Sequence, residues 1–268
     1  MRRTRLAALV LLTAAAGCAA PRLHLPTGPA SPLGNPGVID QAFQHCPDLR
    51  TMTLEIGLSG RAGGEKLRGR LLAGLAHPSS IRLEAVAPFG PPAFILAASA
   101  ETSVLLLPRD DRVLHDAPPR AILEALAGVD VTPGSLLAFL GGCPGAAPVT
   151  ATARGFGDDW AAVDLDDGAV AYLRRTPAWR AAAVVREGLR VTFEQWHAAH
   201  PAEVRLRSTS ADEAARFDLL LRLSQVERNA PVPPEAFTVD VPPDADPMTL
   251  EELRRAGPMR ETAPHPTS

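Results

Sequence analysis

The sequence predicts an α+β fold that is mainly β: a curved antiparallel sheet whose run of strands is interrupted once by a pair of helices. Three observations carry this. From Thr51 onward, short segments alternate apolar and polar residues with a period of two, the pattern of strands with one buried face. The connections between them are brief Gly-, Pro- and Ser-rich signals, too short for crossovers, so neighbouring strands run antiparallel. Between Pro118 and Gly142 the period lengthens to that of a helix and then reverts, and an antiparallel sheet with one apolar face needs such a cover.

The N-terminus comes first in the chain and is not part of this pattern. In MRRTRLAALVLLTAAAGCAAP, Arg2, Arg3 and Arg5 form a basic region, Leu6 to Leu12 an apolar run too short to span a bilayer, and Ala15-Ala16-Gly17 the small residues before a peptidase cut. Cys18 would then become the new N-terminus and carry the acyl chains of a lipoprotein. Each buried methylene contributes about 0.8 kcal/mol, so two or more chains form a stable anchor. Two readings compete: an ordinary secretory signal with Cys18 incidental, and an uncleaved membrane helix, against which the polar and Pro-rich residues that follow at once argue. Ala19 to about Pro36 is rich in Pro, Gly and Ser and reads as a flexible tether.

The first strand is read from Met52, Leu54, Ile56 and Leu58, which alternate with Thr53, Glu55 and Gly57. Leu67, Leu71 and Leu75 mark the second and Ile81, Leu83 and Ala85 the third. AFILAAS, with Ile95, then SVLLLP and DRVLHD complete the first group. In PPRAILEALAG, Pro119 suits a first helical position, Ile122, Leu123 and Leu126 share a face, and Gly128 suits the cap. In VTPGSLLAFLGG, Thr132 is the expected N-cap, with Leu136, Leu137, Phe139 and Leu140 apolar, before a Gly141-Gly142 stop. Strands resume with DWAAVDL, GAVAYLRR, AAAVVRE, LRVTFEQW and AEVRLRS, and with a longer run from Phe217 to Val226. A short helix is expected around Leu250 to Arg255, followed by a polar tail expected to be disordered.

Composition narrows the function. The net charge is only −3, with acids and bases mixed along the chain, which predicts neither a nucleic-acid stripe nor a polybasic membrane patch. Cys46 and Cys143 are free to pair in an exported protein, or to be two separate buried thiols. No GxSxG, phosphate loop, HExxH or CxxC occurs, so no catalytic residue, metal ligand or cofactor is assigned. His197 and His200 read as a solvated turn, since metal sites need three or four convergent ligands. Asp110, Asp111, His115 and Asp116 read as a charged turn beside an edge strand.

Two features leave alternatives open. The helices either pack tightly on the sheet, giving an ordinary core, or act as a lid over an acyl-chain cavity in an incomplete barrel. Phe89, between Pro88 and Gly90 in AVAPFGPPAF, either folds back onto the sheet or stands exposed and requires an apolar partner such as a bilayer.

Taken in order, LSGR at Leu58 to Arg61, the PFG turn at Pro88 to Gly90, the helical block ending LLAFLGGCPG and the segment ERNAPVPPEAFTVDVP resemble the LolB family of outer-membrane lipoproteins and the related LolB-like, DUF4292-type group. The likeness runs from about Thr51 to Val241 and implies an unclosed, LolA/LolB-like β-barrel with a helical lid. It implies a lipid-anchored, outer-membrane protein facing the periplasm. Such a protein receives lipoproteins from a soluble LolA-like carrier, binds their acyl chains, and releases them into the inner leaflet. It does so without nucleotide or cofactor. Apart from the resemblance, the chain is expected to be a monomer, not an enzyme, and to bind no nucleic acid. By this resemblance Cys18 is the anchor and Phe89 the membrane-inserting tip, while Leu123, Leu126, Leu136, Leu137 and Leu140 belong to the lid. Leu54, Ile56, Leu71, Ile81, Leu83 and Ile95 are the expected cavity residues from the sheet. The domain expectations are a signal peptide over 1–17, a linker over 18–40, the half-barrel over 41–243, and a helix with a disordered tail over 244–268. The alternative is a structural or assembly lipoprotein with a solid core that binds an envelope protein.

Overall fold

The computed structural model describes residues 23–35, 37–100, 102–145, 152–212 and 216–260; the signal segment, Cys18 and the tail from 261 lie outside them. Its elements in chain order are β1 (Ser31–Pro32), α1 (Gly37–Phe43), β2 (Thr51–Ala62), β3 (Glu65–Ala76), β4 (Ser80–Val86), β5 (Ile95–Ala98), β6 (Ser103–Leu107) and β7 (Arg112–His115). Next come α2 (Pro119–Ala127) and α3 (Pro133–Leu140), then β8 (Ala153–Phe156), β9 (Trp160–Asp164), β10 (Val170–Arg175) and β11 (Trp179–Arg186). The chain continues through β12 (Leu189–His197), β13 (His200–Ser208), β14 (Phe217–Arg228), a 3-10 turn (Pro234–Phe237), β15 (Asp246–Pro247) and α4 (Leu250–Ala256).

All the strands join one sheet in the order β1-β8-β9-β10-β11-β12-β13-β14-β2-β3-β4-β5-β6-β7-β15. Two meanders, β2 to β7 and β8 to β14, are joined where β14 pairs with β2. The remaining pairs are antiparallel except β15 beside β7. β1 and β15 are unpaired on their outer sides, so the curved sheet does not close.

This topology explains where the helices sit. β7 and β8 lie near opposite edges of the sheet, about 12 strand spacings apart at ~4.8 Å each, so the chain between them must cross a face. The crossing carries α2 and α3, and α3 packs against β3, β4 and β13. Both helices end as their residues direct. Pro119 begins α2 and Gly128 ends it in the left-handed conformation; the Thr132 hydroxyl accepts from the Ser135 N–H to cap α3. Ile122, Leu123, Leu126, Leu136, Leu137 and Leu140 are all buried against the sheet.

The strands bury alternate residues. Met52, Leu54, Ile56 and Leu58 face the core, as do Leu67, Leu71 and Leu75. Gly60 marks a close approach between β2 and β14: its φ is +149°, and a Cβ there would lie 2.1 Å from the Asp218 carbonyl oxygen. On β14 the register shifts between Ser224 and Glu227, with Gln225 at φ 52°, a bulge that bends the strand as curvature requires.

The ordered domain is longer at both ends than the sequence pattern implies. Residues 31–40 were expected to be tether, but β1 pairs with β8 and Val38 of α1 is 4 % exposed. At the other end α4 forms as expected, with a Thr249–Glu252 capping box. Met248, Leu253 and Met259 are buried in the same core, and Arg68 N–H donates to the Met259 carbonyl at 3.3 Å. ARGF, which carries no alternation, forms β8. The segment after Arg228 runs over the outside of β4 and β5 as a strap, held by Arg82 to the carbonyls of Ala236 and Thr238 at 3.2 and 2.6 Å.

Candidate functional site: a lidded apolar cavity beside an exposed tip

Between the lid and the concave face lies a cavity of about 70 Å³ with an almost wholly apolar wall. Ile56, Leu71 and Leu83 form its floor, and Leu123, Leu126 and Leu136 its roof. Alternation along β2, β3 and β4 brings the floor residues to one face, and the helical period brings the roof residues down onto them. The volume holds a few waters' worth of space, far below the ~300 Å³ of an ordinary ligand pocket. A long acyl chain therefore enters only if the lid lifts.

The remaining expected cavity residues lie elsewhere. Leu54, Ile81, Leu137 and Leu140 are buried in the core but do not line this cavity; Leu54 and Ile81 lie where β2 begins and β3 turns into β4. Ile95 is on the wrong face. It pairs with Glu84 while its neighbour Leu96 pairs with Leu83 and is fully buried, so the pleat turns Ile95 outward on the strap side. An apolar run cannot reveal which of its alternate residues faces inward. Residues that line the cavity without having been expected to include Leu58, Phe94, Val131, Leu219, Leu221 and Met259. Alternation on β2 and β14 was enough to find three of these; Met259 sits in a stretch with no periodicity. A neighbouring concavity of about 360 Å³ shares Val129 and is lined by Arg186 and by the ion pair of Arg120 with Asp130.

Phe89 stands outside this core with 90 % of its surface exposed, so it does not fold back on the sheet. The loop presenting it is braced. Arg109, from the β6–β7 turn, donates to the carbonyls of Phe89 at 3.0 Å and Pro91 at 3.1 Å, and Gly90 takes the φ of +76° that the turn requires. The loop follows β4, and the cavity residues Leu83 and Phe94 sit at the same end of the sheet.

At the opposite end Cys46 and Cys143 form a disulfide, with 5.7 Å between their Cα atoms. It joins the residues after α1 to those after α3 and so fastens one end of the lid. His45 stacks edge-on with Trp196 at 5.6 Å. Burial, with the nearby Arg228 charge, pushes the His45 pKa down to about 4. Its Nε2 is buried and meets no partner among the described residues. The group His45, Cys46 and Cys143 is compact, but its sulfurs are bonded to each other and are not metal-binding thiolates. His197 and His200 face each other across the β12–β13 turn at 6.1 Å.

One sequence expectation fails on the outer face. The even mixture of charges predicted no basic patch, yet cations from four strands converge on a trough of about 830 Å³ along β2 and β3, with Arg205 and Arg222 on its far side. Arg61, Lys66, Arg68 and Arg70 lie within one hairpin, and strand register adds Arg205 and Arg222 from more than a hundred residues on.

A half-open sheet with a helical lid and an apolar hollow beneath it defines a lidded half-barrel, and the architecture is the LolA-like fold. The crystal structure of a LolA superfamily protein from Nitrosomonas europaea is similar over 76 % of this chain and 96 % of that one, with a TM-score of 0.50 and 9 % identity. A DUF1329 family protein from Desulfovibrio piger matches over 75 % and 94 %, at TM-score 0.43 and 10 % identity. The lipoprotein LppX of Mycobacterium tuberculosis matches over 75 % and 99 %, at 0.32 and 12 %. No protein-family model and no curated protein matches the chain.

Proposed function

We propose that this protein is a lipid-anchored carrier at the periplasmic face of the outer membrane. It binds lipoprotein acyl chains beneath its lid and delivers them into the bilayer, in the manner of LolB. The observation that carries this reading is the apolar hollow between the lid and the concave face, placed at the same end of the sheet as the exposed Phe89. No bond need be made or broken. A chain leaving a soluble carrier gains by entering an apolar cavity, and it gains again by entering a bilayer, because the driving force scales with apolar area removed from water. Cys18, acylated after removal of residues 1–17, ties the protein to that bilayer through a short tether, and Phe89 enters the inner leaflet.

The test is uptake and delivery. The purified protein is expected to retain lipid extractable into organic solvent, or to take up a fluorescent fatty acid; a dry protein that takes up neither overturns the reading. Phe89→Glu is expected to leave folding and uptake intact while blocking transfer of a lipoprotein into vesicles, and normal transfer by that variant removes Phe89 from the mechanism. Palmitate labelling is expected to be lost in Cys18→Ser. The small volume of the cavity favours a second reading, an assembly lipoprotein with an essentially solid core that binds an envelope protein. That reading expects no lipid at all.

A further inference from the structure

The basic trough and the Phe89 tip share one end of the sheet. Arg70 on β3 pairs with Val86 on β4, three residues before Phe89, and Arg68 and Lys66 lie further along β3 in the direction of the tip loop. Because Leu67 and Leu71 point into the core, alternation turns Lys66, Arg68 and Arg70 outward. They lie opposite Arg61, Ser59 and Gly57 on β2. Gly57 and Ser59 provide little bulk, which leaves the trough open between the β3 cations and Arg222.

The carboxylates on the trough's own face are already engaged, whereas Glu65, next in the chain to Lys66, and Asp110 and Asp111, in the turn that braces Phe89, are exposed and make no ion pair among the described residues. Asp218 accepts from Arg205 at 2.5 Å and Arg207 at 3.0 Å, Glu203 from Arg222 at 3.0 Å, and Glu55 lies 3.3 Å from Arg70. Lys66 and Arg68 are exposed and make no ion pair among the described residues. Arg61 donates to the Gly64 carbonyl at 2.8 Å, which neutralises nothing. Three cations without a carboxylate partner therefore stand at the end of the sheet that carries the exposed aromatic tip, with the Met259–Arg260 segment along β3 between them and the tip loop.

We infer that this trough receives the phosphates of anionic lipids in the surface that Phe89 enters, so that charge turns the tip towards the bilayer. The inference rests on the reading of Phe89 as a membrane tip. An apolar tip alone supplies depth without orientation. Basic residues at a membrane surface strengthen binding about fivefold each and act over roughly a Debye length of 8 Å, so the trough acts before the ring makes contact.

The test uses the full chain carrying Cys18→Ser, so that no acyl anchor masks weaker binding and any contribution of the N-terminal segment is common to every variant. Co-sedimentation is measured with vesicles of phosphatidylcholine alone or mixed with phosphatidylglycerol. The parent is expected to prefer the anionic vesicles and to lose that preference in high salt. The pair Lys66→Gln and Arg68→Gln is expected to weaken anionic binding more than tenfold while leaving binding to neutral vesicles unchanged; Phe89→Ser is expected to weaken both. Parental binding to anionic vesicles by the Gln pair overturns the inference, and so does a trough that captures an acidic protein while remaining indifferent to lipid charge. Fatty-acid uptake is measured on the same samples. Uptake without charge preference overturns this inference alone, whereas absence of uptake in the parent overturns the carrier reading.

Discussion

His45 shows how much chemistry at the residue scale depends on partners distant in sequence. Burial first, then Arg228, pushes its pKa from 6.5 down to about 4, while Arg228 donates to the His45 carbonyl at 2.9 Å from 183 residues away. The unfolded chain takes up a proton at this site near pH 6.5 and the folded chain only near 4. Between those values the unfolded state binds more protons, so stability falls as pH falls. Above 6.5 the contribution is constant. With allowance for the partial exposure of the ring, the loss is on the order of 1–2 kcal/mol, or a few degrees of melting temperature for a chain of this size. Thermal scans at pH 7 and pH 5 are expected to show that fall in the parent and a smaller one in His45→Gln; equal slopes would remove His45 as the cause. Nothing in the local sequence HCPDL announced this, because a histidine's environment is made by tertiary contacts. Phe89 was different. Its Pro and Gly neighbours marked a turn, and only its exposure awaited the structure.

At the scale of elements, the two lid helices were the most legible part of the chain, because Pro119, Gly128 and Thr132 act on backbone groups within their own turn. β1, β8 and the strap were not legible. Their pairing comes from partners across the sheet, with β1 reaching β8 more than a hundred residues on, and short edge strands need no alternation. The disulfide belongs to this scale too, since it fastens the end of α3 to the end of α1, which packs on β11. Bridging positions 97 residues apart, it restricts the unfolded chain strongly, and its removal in Cys46→Ala with Cys143→Ala is expected to cost about 2–5 kcal/mol. A drop in melting temperature on the order of 10 °C, with an unchanged far-ultraviolet spectrum, is the expected result. An unshifted transition would mean that α3 is held by its apolar contacts alone.

For the whole molecule, curvature, lid and cavity follow from one topological fact: β7 and β8 lie near opposite edges, and the chain between them crosses the concave face. The crossing is tied down at its α3 end by the disulfide. Its middle, the link after Gly128, rests on the end of β2, where a Cβ built on Gly128 lies 3.0 Å from that of Ala62. Strand alternation foretold that an apolar face needed cover, but not whether the cover moves. The size of the hollow makes motion a requirement for the carrier reading: about 70 Å³ against the ~300 Å³ at which ligand pockets begin. The disulfide holds the α3 end, so a second bond at the middle of the lid should hold the protein shut. The double substitution Ala62→Cys with Gly128→Cys places two Cβ atoms 3.0 Å apart, so the link after Gly128 must give by several tenths of an ångström to reach the ~3.8 Å separation of a disulfide. Oxidised, this variant is expected to fold and to exclude a fluorescent fatty acid; after reduction, uptake is expected to return. Each single substitution, treated with the same reductant, controls for strain at Gly128 and for opening of the Cys46–Cys143 bridge. Uptake by the oxidised double variant at the parental rate would mean that acyl chains bind somewhere other than beneath the lid.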